Sequence, residues 1–136
     1  MISIEQITPY LTHRLRRDVL YPEQNIYEME MKEDNDGVHF GAFKDNKLIG
    51  VVSLFQKDGT DFQFRKFAVD PSVQKIGIGS SLLKYIIDYT KTNGGTRLWC
   101  NARLSAIGFY LKSGFTHTGD FFSRNGFDYE ILEIAI

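Results

Sequence analysis

Between Val69 and Asn101 the chain spells strand, turn, helix and strand in an order that leaves few folds open. Asp70-Pro71 ends the apolar strand Phe62–Val69, because the residue before a proline is biased to extended backbone and proline lacks an amide for a ladder. A glycine-bearing turn follows. Gly79, Leu82, Leu83, Ile86, Ile87 and Thr90 then recur at helical spacing, with Ser80, Ser81, Lys84, Asp88 and Lys91 between them. Asn93-Gly94-Gly95 stops that helix, and Arg97 to Asn101 reads as a short buried strand. Two strands joined through one helix run parallel, so the stretch predicts a βαβ crossover.

The flanking segments frame that unit. Thr8-Pro9 reads as a cap followed by proline in a first helical turn, and Tyr10 to Val19 as a short helix with Arg14, Arg16 and Arg17 on a basic outer face. Tyr21-Pro22 breaks it. The acidic stretch from Glu23 to Asp36 reads as mostly loop, with room for a helical turn. Val38–Phe43 and Lys47–Phe55, joined by Asp45-Asn46, predict two strands, and Phe62–Val69 follows the turn Lys57-Asp58-Gly59-Thr60 to complete an antiparallel meander. Beyond the crossover, Ser105 to Ser113 reads as a second helix ended by Gly114. Phe115–Phe121 and Phe127–Ile136 then predict a hairpin around Ser123-Arg124-Asn125-Gly126. In the last strand the apolar phase passes from Phe127, Tyr129 and Ile131 to Leu132, Ile134 and Ile136, which predicts a bulge near Ile131. The predicted order is α, βββ, α, β, α, ββ. It describes an α/β (α+β) fold: a mixed, largely antiparallel sheet with helices on both faces.

At 136 residues the chain suits one domain over residues 1–136, large enough to bury a core. Sixteen basic and seventeen acidic residues give a net charge of −1, which argues against a nucleic-acid partner. Cys100 is the only cysteine, which excludes an internal disulfide framework and a Cys-rich zinc site. His13, His39 and His117 have no partners in metal-ligand spacing, so no metal is expected. No apolar run matches a membrane span or a secretory leader, which predicts a cytoplasmic protein with no membrane association. Aromatic residues make up 14%, more than a small core needs.

The chemistry concentrates at Gln74-Lys75-Ile76-Gly77-Ile78-Gly79. Glycines 77 and 79 let backbone approach a ligand, and the first helical amides lack internal partners at the positive end of the helix dipole. Together they make a cradle for phosphate. A Walker loop requires Gly-Lys-Ser/Thr, whereas Gly79 is followed by Ser80-Ser81. A dinucleotide fingerprint requires a third glycine where Leu82 stands.

This segment resembles the acyl-CoA-binding motif of the GNAT (GCN5-related) N-acetyltransferase superfamily, Gln/Arg-x-x-Gly-x-Gly/Ala after a strand. The resemblance extends to Ala106-Ile-Gly-Phe-Tyr110-Leu-Lys-Ser-Gly114-Phe115, which is similar to the family's later Ala-x-x-x-Tyr-x-x-x-Gly-Phe signature. It implies an acetyl-CoA-dependent N-acetyltransferase acting on an amine acceptor, either a small molecule or a peptide. The CoA pyrophosphate would lie on the amides of Lys75 to Ser80, with Gln74, Ile76, Gly77, Ile78 and Gly79 in the same turn. The pantetheine arm would pair with the backbone of Phe67, Ala68 and Val69, with Asn101 reaching it from the neighbouring strand. Tyr110 would protonate the departing thiolate, and the Val69 amide would hold the oxyanion. Small members of the family often pair as homodimers. The alternative is a non-catalytic CoA-binding module with the same fold.

On the acceptor side, Glu28, Glu30, His39, His117 and Tyr129 are equal candidates. In the family's topology the acidic run Glu28–Asp36 borders the acceptor entrance, and as a solvated loop it would favour a cationic amine or polyamine. Trp99 and Cys100 read as buried core of the central strand, not as a nucleophile and its neighbour. Part of the aromatic surplus (Phe62, Phe64, Phe67, Phe109, Tyr110, Phe115 and Tyr129) is expected to wall the active site.

Overall fold

A computed structural model describes residues 2–136, apart from the side chains of Gln74 and Lys75. The chain divides into two compact units, Met1–Phe55 with Phe64–Ile86, and Gln56–Gln63 with Ile87–Ile136. The strands are β1 (Ile2–Ile7), β2 (Val38–Lys44), β3 (Lys47–Asp58), β4 (Asp61–Val69), β5 (Arg97–Arg103), β6 (Thr116–Arg124) and β7 (Phe127–Ala135). They follow the order β1-β2-β3-β4-β5-β7-β6. The helices are α1 (His13–Leu15), α2 (Ile78–Thr92) and α3 (Ile107–Lys112).

In the first unit, α1 is the middle of a helical stretch that starts as the 3-10 turn Pro9–Thr12 and ends as the π turn Arg16–Leu20. Thr12, Leu15 and Arg16 are all buried, and Val19 is half-buried, so the inward stripe follows i, i+3, i+4, i+7. Leu15 packs with Val51 and Ala68 on one face of the sheet. The opposite face takes the start of α2. A Cβ on Gly50 would stand in ordinary contact, 3.5 Å from Ile78 and 3.6 Å from Leu82, so the helix packs directly over this residue. Helices therefore cover both faces of this unit, as the residue pattern predicts. Asp45 (φ 51°) and Asn46 (φ 65°) close the β2–β3 hairpin in the left-handed pair its twist requires.

In the second unit, β4 begins parallel to β5, with Asp61 opposite Arg97 and Gln63 opposite Trp99. This is the predicted crossover. Two glycines end its helix by different means: Gly94 takes the left-handed turn at φ 82°, while Gly95 leaves the space that Thr90 and Phe62 fill.

Three expectations need correction. β1 was not foreseen, because Ile2-Ser3-Ile4-Glu5-Gln6-Ile7 is a short edge strand carried by its backbone ladder to β2. Arg16 does not share the outer face of Arg14 and Arg17; it is fully buried. The bulge near Ile131 lies on the partner strand. β7 pairs with β5 in unbroken register, whereas β6 fits Thr118, Gly119 and Asp120 opposite Ile131 alone. The apolar phase of β7 changes because Glu130 occupies an inward position, 1% exposed and in phase with Leu132.

Candidate active site

The end of β4 and the start of α2 build the turn singled out by the sequence. The Asp70 amide donates to the Ile49 carbonyl at 2.8 Å, fixing where the strand ends. The Asp70 carboxylate accepts from the Ser72 amide at 3.0 Å and its hydroxyl at 2.8 Å. Those two bonds hold the Asp70 carboxyl below its ordinary range. Pro71 opens the 3-10 turn Pro71–Ile76, and Gly77 leaves it at φ 84°, ψ 11°. A Cβ on Gly77 would meet nothing within 4 Å, so the dihedral and not space demands glycine.

Ser81 donates to the Gly77 carbonyl at 3.0 Å, so the amides of Ile78, Gly79 and Ser80 stand at the positive end of a 15-residue helix. Ile78 and Gly79 are buried while Ser80 is exposed. The roles expected of the Gln74 and Lys75 side chains lie outside the described residues.

Upstream on β4, Ala68 and Val69 are buried and Phe67 half-buried, its ring edge-on to Phe64 at 5.9 Å. Lys66 has φ 56°, a bulge-like break in the strand directly before Phe67. Its ammonium donates to the Tyr21 hydroxyl at 2.7 Å and lies 4.5 Å from that ring's centre. Burial lowers its pKa against the pull of the Tyr21 bond.

In the second unit, Tyr110 sits on α3 with 7% of its surface exposed, edge-on to Phe109 at 5.3 Å and tilted against Phe115 at 5.9 Å. Its carbonyl accepts from Ser113 at 3.0 Å and from Phe115 at 3.1 Å, and Gly114 at φ 100° closes that cap. Burial raises the phenol pKa far above its ordinary value, so the group keeps its proton across the physiological range. Cys100 is buried too, and its thiol is pushed well up, which removes it as a nucleophile.

Asn101 is half-buried and alternates onto the face of β5 that carries Trp99 and Arg103, opposite to Cys100 and Ala102. Trp99 is itself half-exposed rather than core. Its Nε1 donates to Asp61 at 3.0 Å, with Arg97 5.6 Å from its ring.

The acceptor-side candidates divide between the units: Tyr129 and His117 belong to the second, and Glu28, Glu30 and His39 to the first. Tyr129 stacks on Phe122 at 5.0 Å. His117 donates from Nδ1 to Glu130 at 2.8 Å. Glu28 is exposed and accepts from the Asn25 amide at 3.4 Å, closing a capping box. His39 is 2% exposed, with Nε2 donating to the Asp34 carbonyl and Nδ1 accepting from Ser53, each at 2.7 Å.

The expectation of a solvated acidic run fails at Asp34. It is buried and accepts from both terminal guanidinium nitrogens of Arg16, at 3.0 and 2.9 Å. Burial favours protonation of Asp34, but Arg16 and the Met31 amide outweigh it and hold the carboxyl below its ordinary value. Glu33 pairs with Arg65. An open cavity of about 510 Å³ separates the first helical turn (Tyr10, His13) from the loop (Glu30, Lys32, Asn35); neither Lys66 nor Phe67 lines it. Sequence reasoning missed Arg16, Lys66 and Glu130. The spacing of Arg16 with Thr12, Leu15 and Val19 marks its inward position, but nothing local flags the other two.

Comparison with known proteins agrees with this architecture. A model of the acetyltransferase (GNAT) family matches residues 5–115. The uncharacterized N-acetyltransferase YitI of Bacillus subtilis is 27% identical over 140 residues, covering 97% of this chain and 94% of YitI. An IAA acetyltransferase from Bacillus cereus superposes with a TM-score of 0.80 at 21% identity, with 100% of each chain covered. A GNAT family acetyltransferase from Elizabethkingia anophelis with acetyl-CoA bound superposes at 0.77 with 24% identity, covering 99% of this chain and 98% of that one. The chain belongs to the acetyltransferase (GNAT) family and is an acetyltransferase.

Proposed function

We propose that the protein transfers an acetyl group from acetyl-CoA to a primary amine by direct attack in a ternary complex. The observation that carries this reading is the Gly77 turn, which delivers strand β4 into the amide-bearing start of α2. That end of the helix suits the CoA pyrophosphate. The pantetheine arm runs beside Phe67, Ala68 and Val69, and Asn101 contributes to holding it. The neutral amine attacks the thioester carbon, the C–S bond breaks, and the electron pair leaves on sulfur. Tyr110 gives its proton to that thiolate, which suits a phenol kept protonated by burial. The Val69 amide holds the oxyanion, and water removes the proton that the attacking amine sheds.

Thermal shift with acetyl-CoA, CoA and ATP tests the donor site, with stabilisation by the two CoA species expected. Free-thiol release with an amine panel then separates an enzyme from an inert CoA binder. Tyr110→Phe is expected to lower kcat at least tenfold with little change in acetyl-CoA affinity. A parent enzyme whose rate is unchanged by that substitution would exclude Tyr110 as the acid.

A further inference from the structure

Lys66 is, among the described residues, the one non-glycine inside a strand with a left-handed backbone. Its ammonium donates to the Tyr21 hydroxyl, a neutral acceptor, at 2.7 Å. Arg16 and Arg65, the two cations that oppose its charge, each have a carboxylate: Asp34 for the first and Glu33 for the second. Lys66 meets no carboxylate among the described residues. A half-buried ammonium held by the hydroxyl and ring face of one tyrosine meets no full opposite charge, which a bound anion would supply. The acidic run of the loop does not fill the need, because Asp34 and Glu33 are committed to the other two cations.

We propose that Lys66 is a specificity-determining residue that selects, as acceptor, a primary amine also carrying a carboxylate. This rests on the function proposed above, because Lys66 directly precedes the Phe67–Val69 segment assigned to the donor arm. The carboxylate docks on the ammonium in a charge-assisted hydrogen bond. The same positive charge disfavours the ammonium form of the incoming amine, which must be neutral to attack, and repels a polyamine. The chain thus favours the opposite acceptor class from the one its acidic loop suggests.

The test compares glycine with glycinamide, L-alanine with L-alaninamide, and spermidine, each at saturating acetyl-CoA. It is run on the parent, Lys66→Met, Lys66→Gln and Lys66→Arg. Met, Gln and Arg are unbranched at Cβ like lysine, so each tolerates the φ of residue 66 about as well; the glutamine variant serves if methionine fails to fold. The expected result is a kcat/KM preference of about tenfold or more for the carboxylate member of each pair, which disappears in Lys66→Met or Lys66→Gln and persists in Lys66→Arg. Spermidine is expected to be the poorest acceptor in the parent and to improve when the charge is removed. A parent that acetylates the amides or spermidine as well as the amino acids overturns the inference, as does a preference untouched by Lys66→Met. A parent stabilised by acetyl-CoA that acetylates none of the carboxylate amines also overturns it, and leaves the donor site standing. A parent not stabilised by acetyl-CoA fails the donor site itself, and this inference with it.

Discussion

Arg16 and Asp34 form a two-bonded ion pair with side chains 0% and 5% exposed. The guanidinium also donates to the Met29 carbonyl at 2.8 Å and to Ser53 at 2.9 Å, so one side chain ties the helical stretch, the acidic loop and β3 together. Removing it strands a carboxylate and a carbonyl in the interior. Arg16→Met is therefore expected to cost about 3–5 kcal/mol of stability. Urea denaturation measures this, and a loss below about 1 kcal/mol would show that water reaches the pair.

His39 closes the same network from below, and burial depresses its pKa despite the Asp34 carbonyl and the nearby carboxylate. Its folded pKa lies under the unfolded value, so the unfolded chain binds the proton first. Stability from the neutral ring is fully present above pH ~6.5 and falls as the pH drops towards the folded pKa. Unfolding free energy measured from pH 7 to 5 should decrease, and His39→Gln should flatten that slope. His13, whose pKa burial and Arg16 also lower, adds to the trend in the same direction. A slope identical in parent and variant would rule His39 out as its source.

The paired glycines after α2 should respond differently to the same substitution. Gly94→Ala forces a left-handed turn on an L side chain and is expected to cost about 1 kcal/mol. Gly95→Ala places a Cβ 2.4 Å from Thr90 Cγ2 and 2.9 Å from both the Thr90 carbonyl and the Phe62 ring. It is expected to cost more, about 1–3 kcal/mol. Thermal denaturation of the two variants gives the order, and equal losses would contradict the steric account.

At the donor turn, Gly77→Ala meets no neighbour but must hold φ 84°. The expected outcome is a stability loss of about 1 kcal/mol, as at Gly94, with acetyl-CoA affinity lowered several-fold. Calorimetric titration reads the second effect. Unchanged affinity would separate the left-handed turn from cofactor binding.

Glu130 holds the β6 bulge through the Gly119 amide at 3.1 Å and His117 at 2.8 Å, and the His117 bond leads the forces that keep its carboxyl below the usual range. Glu130→Ala should speed hydrogen exchange at Gly119 while exchange in β5 stays slow. Protection at Gly119 that survives the substitution would assign the bulge to other contacts, such as Thr118 to the Ile131 carbonyl at 2.6 Å.

What could be read in advance follows physical range. Elements set by neighbours in sequence were legible: α2 from its 3.6-residue period, the hairpins from Asp45-Asn46 and Asn125-Gly126, the crossover from Asp70-Pro71 and Gly94-Gly95. The motif residues Gly77 and Tyr110 stood out for the same reason. Illegible were features made by partners far along the chain. The spacing of Arg16 places it inward, but what satisfies it there, Asp34 eighteen residues away and Ser53 thirty-seven away, has no local signal. Glu130 breaks the apolar phase of β7 because its reason for facing inward is on β6. Lys66 is an ordinary strand lysine until its dihedral and the commitments of Asp34 and Glu33 are known.

The order of the sheet leaves β1 and β6 as its two rims. A rim strand exposes a row of unpaired amides and carbonyls that a neighbouring molecule can copy. In β6 the three residues Thr118–Asp120, set against Ile131 alone, interrupt that row, with Gly119 at φ 83° and its amide turned to Glu130. β1, at six residues, is short. The buried carboxylate of Glu130 therefore does more than fill a bulge. It fixes the break in the row of one rim, and a broken row is a poorer template for edge-to-edge pairing than a continuous one.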